Sequence, residues 1–258
     1  MNHKGTKNYQ IIHSYTTSGL KSAFIDLDKN NGQGVVVQKE IPIFTDAMQA
    51  HLATACRHAN GRDWWIITIK SGMGKYYKTL LNPNGFVPQL PQTMPYINGS
   101  ERKSSVAYFS PNGKMYAHYN GEQGAWLYDF DRCTGMLYNR RLIPLFRAFR
   151  TGYAGLAFSP NSRYLYMNDD SQIAQYDLEA ADVPASKIIV AEYDGFADTI
   201  GFARFNTSFF LMQLAPNGKI YGNCTGGNRY LHVIHNPNEQ PHPDPPRRGG
   251  RRADAIAG

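Results

Sequence analysis

A short turn recurs four times along the chain, and each copy leads into an apolar, aromatic-rich run. The copies are His58-Ala59-Asn60-Gly61-Arg62, Ser110-Pro111-Asn112-Gly113-Lys114, Ser159-Pro160-Asn161-Ser162-Arg163 and Ala215-Pro216-Asn217-Gly218-Lys219. Their fourth residues (Gly61, Gly113, Ser162 and Gly218) are separated by 52, 49 and 56 positions. This period is typical of repeats that each form one small four-stranded sheet. The repeat therefore predicts a β-propeller.

The unit that begins at residue 155 shows why four strands are expected. An apolar run ends at Phe158, a Pro160-Asn161 turn follows, and a second run continues to Met167. Because proline presets φ and asparagine tolerates positive φ, the two runs predict a hairpin. Runs at 172–178 and 187–193 complete the set of four. The preceding unit repeats the order at 105–109, 114–119, 125–130 and 136–142.

Five such units are predicted, and they form one domain at 10–238. The blades are expected at 10–50, 51–100, 101–148, 149–200 and 201–238, between a disordered N-terminus at 1–9 and a disordered tail at 239–258. The first and last blades show only three convincing strands each: 10–15, 23–27 and 35–39, and then 209–214, 219–224 and 230–235. Incomplete terminal blades favour an open arc of a larger propeller, which would self-associate or be marginally stable. Only 45–55 shows a weak helical pattern.

Composition narrows the class of protein. The 258 residues are 42% hydrophobic and 13% aromatic, enough for one good core. No apolar stretch approaches the ~20 residues of a membrane span, and 1–10 is polar, without the apolar segment of a secretory signal. The net charge is +7, but the basic residues are scattered among turns, so no nucleic-acid partner is expected.

The final 20 residues are rich in proline, arginine and glycine. Their apolar surface is too small to offset the entropy of ordering them, so disorder is expected. A non-native or read-through end is favoured over the alternative, an anionic-surface tether. The tether would use Arg247, Arg248, Arg251 and Arg252.

The segment that starts at Asp26 is the strongest candidate for a metal site. Asp26, Asp28 and Asn30 place alternate side-chain oxygens before a glycine, as calcium loops do. The sixth and twelfth positions of such a loop require Gly and an acid, but here they hold Asn31 and Val37. A hairpin turn is therefore favoured over calcium, and no metal or cofactor is predicted.

Two further groups of polar residues resemble catalytic arrangements. Cys56, His58 and Asp63 could supply a nucleophile, a base and an orienting acid, but Asp63 lies beyond a tight turn. His58 is expected to anchor that turn by a hydrogen bond. Asp129 and Asp131 could be paired acids, although such segments usually cap their own backbone. Structural turn roles are assigned to His58, Asn60, Gly61, Asp63, Asn112, Gly113, Asn161, Asn217 and Gly218.

The three cysteines fall in three different predicted blades. A disulfide requires Cα atoms about 5.5 Å apart, which separate blades seldom provide. Cys56, Cys133 and Cys224 are therefore expected to be free and mostly buried.

The motifs together resemble a known family, the large exported proteins of Bacteroidetes-type bacteria with an N-terminal propeller of WD-like repeats. The matching segments are Phe24-Ile-Asp-Leu-Asp-Lys-Asn-Asn-Gly32-Gln-Gly34, Thr54-Ala-Cys-Arg-His58-Ala-Asn-Gly-Arg-Asp-Trp-Trp65-Ile, Tyr128-Asp-Phe-Asp-Arg-Cys-Thr-Gly135 and Met212-Gln-Leu-Ala-Pro-Asn-Gly-Lys-Ile-Tyr221. They cover about residues 15 to 238. Members often end in a sorting domain for type IX secretion, of the gliding-motility type. The resemblance implies an extracellular or cell-surface location.

Relatives in that family begin with a signal peptide and further blades and continue beyond the position of Asn238. The chain is therefore expected to be an internal piece or a shortened paralogue. Its predicted function is that of a non-enzymatic interaction or scaffold module that binds protein or glycan. The alternative is a lactonase-like hydrolase with a metal in the central channel, for which acids from several blades would be needed.

Overall fold

The computed structural model describes residues 8–15, 19–49, 52–70, 74–94, 104–121, 123–145, 155–224, 226 and 228–241. Contacts divide the chain into two compact units. Unit 1 comprises Met1–Arg102 and Asp131–Met136, and unit 2 comprises Lys103–Phe130 and Leu137–Gly258. The predicted termini, 1–9 and 239–258, lie mostly outside the described residues, as do the four tail arginines.

Unit 1 holds two antiparallel sheets. The first has the order β1-β2-β3, formed by β1 (Asn8–Tyr15), β2 (Gly19–Asp26) and β3 (Val35–Phe44). The second follows the order β4-β5-β6-β7, with β8 also paired to β6. Its strands are β4 (Thr54–Arg57), β5 (Trp64–Ile69), β6 (Lys75–Asn82), β7 (Gly85–Pro88) and β8 (Gln92–Thr93). Leu20, Ile43 and Ile66 form a buried apolar cluster in this unit.

Unit 2 holds two four-stranded antiparallel sheets, a hairpin and a three-stranded sheet. The third sheet of the chain is β9 (Ser104–Phe109), β10 (Met115–Asn120), β11 (Gly124–Asp131) and β12 (Met136–Pro144). The fourth is β13 (Leu156–Phe158), β14 (Tyr164–Asn168), β15 (Gln172–Asp177) and β16 (Ile188–Glu192). A hairpin of β17 (Ala197–Ile200) and β18 (Ala203–Asn206) precedes the last sheet, which is β19 (Phe209–Leu214), β20 (Ile220–Cys224) and β21 (Leu231–Ile234).

The three sheets of unit 2 pack face to face through apolar side chains. The third and fourth sheets share a core that includes Tyr119, Leu127 and Leu165. The fourth and last sheets share a second core, in which Tyr166 and Phe209 are buried. The first strand β13 of the fourth sheet contacts both β9 and β19, the first strands of its neighbours. Neighbouring sheets that pack with their first strands together are typical of propeller blades.

Each of the four recurring turns contains the same type of hydrogen bond. The side-chain oxygen of Asn60, Asn112, Asn161 or Asn217 accepts from the backbone N–H two residues later, at 3.0, 2.9, 3.1 and 3.2 Å respectively. The following residue has positive φ in every turn: Gly61 at 72°, Gly113 at 70°, Ser162 at 65° and Gly218 at 77°. An asparagine that caps its own turn before a left-handed residue reverses the chain tightly.

The weak helical pattern at 45–55 is one feature of the sequence that the structure does not bear out. Within 45–49 and 52–55 there is no helix; Met48 forms an isolated bridge to Lys70, and β4 begins at Thr54. The weak helical pattern was therefore misleading. No helix in the described part of the chain has the length and apolar character that crossing a membrane would require.

Candidate functional site

The segment at Asp26 forms a tight turn between β2 and β3. The Asp26 carboxylate accepts from the backbone N–H of Asp28 at 3.1 Å. Asn30 has φ of 56°, and its side chain donates to Gln33 at 3.3 Å. The Asp26 carboxylate and the Asn30 amide therefore take part in hydrogen bonds within the turn itself. Among the described residues, no group of three or more His, Cys, Asp and Glu side chains has an arrangement that could hold a metal ion.

His58, Asn60 and Asp63 are brought together in one turn of unit 1. His58 Nδ1 accepts from the N–H of Asn60 at 3.0 Å, and His58 Nε2 lies 3.1 Å from the carbonyl oxygen of Cys133. The Asp63 carboxylate binds the Asn60 amide at 2.8 Å and the Arg62 guanidinium at 2.7 Å. Arg62 and Asn60 hold the pKa of Asp63 below its ordinary value. Both ring nitrogens of His58 face partners other than a thiol or carboxylate.

Asp129 and Asp131 have separate partners. The Asp131 carboxylate accepts from the N–H of Cys133 at 2.8 Å and from the Thr134 hydroxyl at 2.7 Å, which lowers its pKa. Asp129 binds Arg141 and the Asn139 amide from the adjacent strand. The two acids therefore do not act as a pair.

All three cysteines are free. Cys56 and Cys224 are buried, whereas Cys133 is exposed in its turn. Burial raises the pKa of both Cys56 and Cys224, which disfavours the reactive thiolate.

A cavity of about 190 Å³ lies between the fourth sheet and the last sheet. Apolar side chains from β15, β16, β19 and β21 form most of its wall. They include Ile173, Val190, Phe209, Leu231, Val233 and Ile234. Two further aromatic rings, Phe196 and Tyr230, pack edge to face with centroids 5.2 Å apart. We refer to this cavity as the β16–β21 pocket.

Three uncharged polar side chains of this pocket donate to backbone carbonyls of residues in the same wall. The hydroxyls of Tyr193 and Thr207 both donate to the carbonyl oxygen of Phe196, at 2.6 and 2.9 Å. His232 Nε2 lies 2.7 Å from the carbonyl oxygen of Thr207. Since a carbonyl can only accept, this nitrogen carries the hydrogen. The donors of Tyr193, Thr207 and His232 are thus already used within the wall of the pocket.

Cys224 and His232 form a contact that resembles a nucleophile and its base. The Cys224 sulfur lies 3.3 Å from His232 Nε2. That nitrogen donates to Thr207, so it has no lone pair with which to accept the thiol proton. Burial lowers the pKa of His232 and raises that of Cys224, which disfavours an ion pair between them. His232 therefore cannot act as the base that would activate Cys224 for nucleophilic catalysis.

The charged groups that line the pocket are both acidic. The Glu192 carboxylate accepts from the Gln172 amide at 2.6 Å, and the Asp194 carboxylate accepts from the N–H of Phe196 at 2.9 Å. Both residues are exposed, and among the lining residues that the structure describes there is no lysine or arginine. The lining therefore combines an apolar wall with two exposed negative charges.

The pocket adjoins the base of the β17–β18 hairpin, because Phe196 and Thr207 flank its two strands. The hairpin is fixed there by Asp198, whose buried carboxylate binds Arg229 at 2.8 Å. Arg229 also holds the pKa of Asp198 low. Sequence reasoning did not identify this pocket, because its lining residues lie outside the recurring turn and come from two different sheets of unit 2. The one available signal was the 56-residue spacing before Gly218, which is the longest of the three.

Comparison with known proteins gives similarity in fold only. No protein-family model matches the chain, and no curated protein matches it in sequence. A Bacteroides uniformis protein provisionally assigned as a 6-phosphogluconolactonase matches with a TM-score of 0.50 at 13% identity, over 86% of this chain and 64% of that one. The Dos1 propeller matches with a TM-score of 0.51 at 12% identity, over 87% of this chain and 50% of that one.

At such identities the matches establish architecture and nothing further. The chain is an all-β propeller with blade-like antiparallel sheets, and the fold predicted from the repeat is confirmed. It spans between half and two thirds of the length of these two solved structures. Its relation to exported Bacteroidetes-type proteins remains a prediction, as does its location outside the cell.

Proposed function

We propose that this propeller is a non-enzymatic binding module of an exported or cell-surface bacterial protein, and that the β16–β21 pocket receives an apolar side chain of a protein ligand. The observation that carries this proposal is the state of the pocket's donors. Tyr193, Thr207 and His232 all donate to backbone carbonyls within the wall. A ligand therefore meets mainly aliphatic and aromatic surface.

The size of the pocket suits one ring. Its volume is about 190 Å³, and an apolar cavity of about 150 Å³ in another protein accommodates benzene. A glycan is less suitable, because its hydroxyl groups require free hydrogen-bonding partners on the wall. A protein ligand with an exposed aromatic side chain thus fits better than a sugar. Basic residues beside that side chain would be attracted to Glu192 and Asp194.

The alternative function is a lactonase-like hydrolase, which the similarity to the Bacteroides uniformis protein favours at the level of fold. A phosphorylated lactone is anionic, so Glu192 and Asp194 would repel it from this pocket. Several other carboxylates are paired with arginine: Asp63 with Arg62, Asp129 with Arg141, Asp177 with Arg163 and Asp198 with Arg229. These acids are held in structural ion pairs.

The test is binding of N-acetyl-phenylalanine amide, followed by NMR. We expect millimolar binding to the purified chain, weaker binding of N-acetyl-leucine amide, and none of N-acetylglucosamine. Ala191→Phe, which fills the pocket from β16, should abolish it, whereas Leu90→Ala at an exposed site in unit 1 should not. Equal binding by the filled variant would contradict the proposal. Hydrolysis of 6-phosphogluconolactone above background would favour the alternative.

A further inference from the structure

The β17–β18 hairpin ends in an exposed aromatic residue. Ile200 pairs with Ala203, so Gly201 and Phe202 form a two-residue loop, and Gly201 has the positive φ (62°) that such loops require. Phe202 is fully exposed, at 111% of its reference area, and Ile200 is 40% exposed. Solitary apolar residues are common on surfaces, but a phenylalanine at the tip of an anchored hairpin is placed to insert into another surface.

Phe202 does not fill the pocket of its own chain. The pocket residues Phe196 and Thr207 lie at the base of the hairpin, five residues from the two tip residues Gly201 and Phe202. At roughly 3.3 Å per residue the tip stands ~16 Å from that base. The same chain therefore carries an exposed ring and, separately, a cavity of ring size.

We propose that Phe202 of one copy inserts into the β16–β21 pocket of a second copy. The proposal rests on the proposed function of the pocket and identifies its protein ligand as this chain. The match is one of size and of charge. The pocket's about 190 Å³ suits a phenyl ring, and the exposed Arg204, two residues beyond Phe202, carries the charge opposite to Glu192 and Asp194.

Such a contact joins two different surfaces. Each copy would offer its hairpin to one neighbour and its pocket to another, so the contact is head to tail. Head-to-tail contacts produce rings when the rotation closes and open chains when it does not. A single ring buries about 200 Å², well below a standard interface, so the association is expected to be weak and dependent on concentration.

The experiment is sedimentation of the full chain over a range of concentrations. We expect the average mass of the wild-type chain to rise with concentration, and Phe202→Glu to weaken the association by about 30-fold or more, as for an interface hot spot. Leu90→Glu is the matched control, because it places the same charge at another exposed apolar site in unit 1. This control should associate like the wild type.

Mixing two variants tests the head-to-tail geometry. Phe202→Glu retains its pocket, and Ala191→Phe retains its hairpin, so together they should form a complex of one copy each that grows no further. Leu231→Glu, at the pocket wall, replaces Ala191→Phe if the latter does not fold by circular dichroism.

A wild-type chain that remains monomeric at high concentration overturns this inference, as does a Phe202→Glu variant that associates normally. Binding of N-acetyl-phenylalanine amide by such a monomer would leave the proposed function intact. Loss of both association and amide binding would instead remove the pocket as a site.

Discussion

The fourth sheet and the last sheet begin with similar hairpins but are completed differently. In the fourth sheet, four strands pair in sequence order. The Ser159 hydroxyl at its first turn is hydrogen-bonded to Asn161 and to the N–H of Tyr164. In the last sheet, as far as the structure describes it, three strands pair, and the pocket lies beside β21. The repeat therefore defines the scaffold, and the candidate site lies where the repeat is incomplete.

The first turns of the fourth and last sheets also differ, in the register of the hydrogen bond that closes them. Ser159 N–H donates to the carbonyl of Tyr164, five residues later, whereas Ala215 N–H donates to that of Lys219, four residues later. Accordingly β19 and β20 pair Leu214 with Ile220, one residue earlier than the repeat pattern requires. A serine hydroxyl accompanies the regular turn at Ser110 and Ser159, whereas the turn at His58 keeps the same register without one. Among the four turns, the shifted register is found at Ala215.

The largest loss of stability should come from adding a side chain where the backbone beside β13 packs closely against β19. A Cβ atom on Gly155 would lie 2.5 Å from the carbonyl oxygen of Phe210 and 2.6 Å from the nitrogen of Met212. Both atoms belong to the backbone and cannot move aside by rotation. Gly155→Val should lower the free energy of unfolding by about 3 kcal/mol, measured by urea denaturation.

Gly195→Ala is the control for that substitution, because its Cβ would meet nothing within 4 Å and only its positive φ (83°) is strained. A loss of about 1 kcal/mol is expected there. Equal losses at both positions would show that β13 and β19 do not pack closely.

Buried histidines should make the stability of the complete third sheet depend on pH. Burial, with the nearby Arg140 charge, lowers the pKa of His118 to about 3. Below pH 6.5 the unfolded chain binds a proton that the folded chain does not, so stability falls as the pH decreases from 6.5 towards 3. Between pH 7.5 and 5.0 this amounts to about 2 kcal/mol.

His118→Gln should reduce that slope by about 2 kcal/mol over this range, measured by urea denaturation at both pH values, and leave the part that comes from His232, whose pKa burial also lowers. His58→Gln is the control, since it makes the same substitution at a half-buried turn residue of unit 1. In NMR, the ring of His118 should remain neutral down to pH 4. An undiminished slope in His118→Gln would assign the pH dependence to other groups.

How far the sequence predicts the molecule can be judged from the same two sheets. The strands of the fourth sheet were predicted to within about one residue, because Pro160-Asn161 and the flanking apolar runs are local signals. The pocket was not predicted. Its residues, such as Val190 and Ile234, lie in separate sheets, and their meeting depends on packing between blades. The sequence analysis placed a boundary between two blades at 200, next to Phe202. No local sequence signal marks β17–β18 as an added hairpin.

Removing the serine from the regular turn should have the next largest effect. The fully buried Ser159 hydroxyl donates to the Asn161 side chain at 2.6 Å and accepts from the Tyr164 N–H at 2.9 Å. Ser159→Ala leaves a buried N–H without a partner and should cost about 1 to 2 kcal/mol in urea denaturation. A loss below about 0.5 kcal/mol would mean that water replaces the hydroxyl.

Substitution of the residue with positive φ in the recurring turn should cost less stability than loss of the serine. Gly113 has φ of 70°, so Gly113→Val should lower the free energy of unfolding by about 1 kcal/mol or more. Ser162 holds the equivalent position at 65°, and its hydroxyl accepts from the N–H of Asn112 at 3.1 Å. Ser162→Gly relieves strain but loses this bond, so its stability should remain near the wild type. A clear gain would show that the bond between the turns contributes nothing.

The smallest change in stability is expected for Ala215→Ser, although the repeat pattern alone would predict a large one. By alignment, Ala215→Ser restores the missing hydroxyl of the last turn and should stabilise it as much as Ser159 stabilises its own. The register argues otherwise, because the 215 N–H bonds to the carbonyl of Lys219 and not to that of Ile220. A hydroxyl at 215 is then out of register with the N–H of Ile220. We expect a change below about 0.5 kcal/mol, measured by thermal and urea denaturation beside Ser159→Ala. A gain above 1 kcal/mol would show that the last turn can adopt the regular register and that the serine alone separates the two sheets.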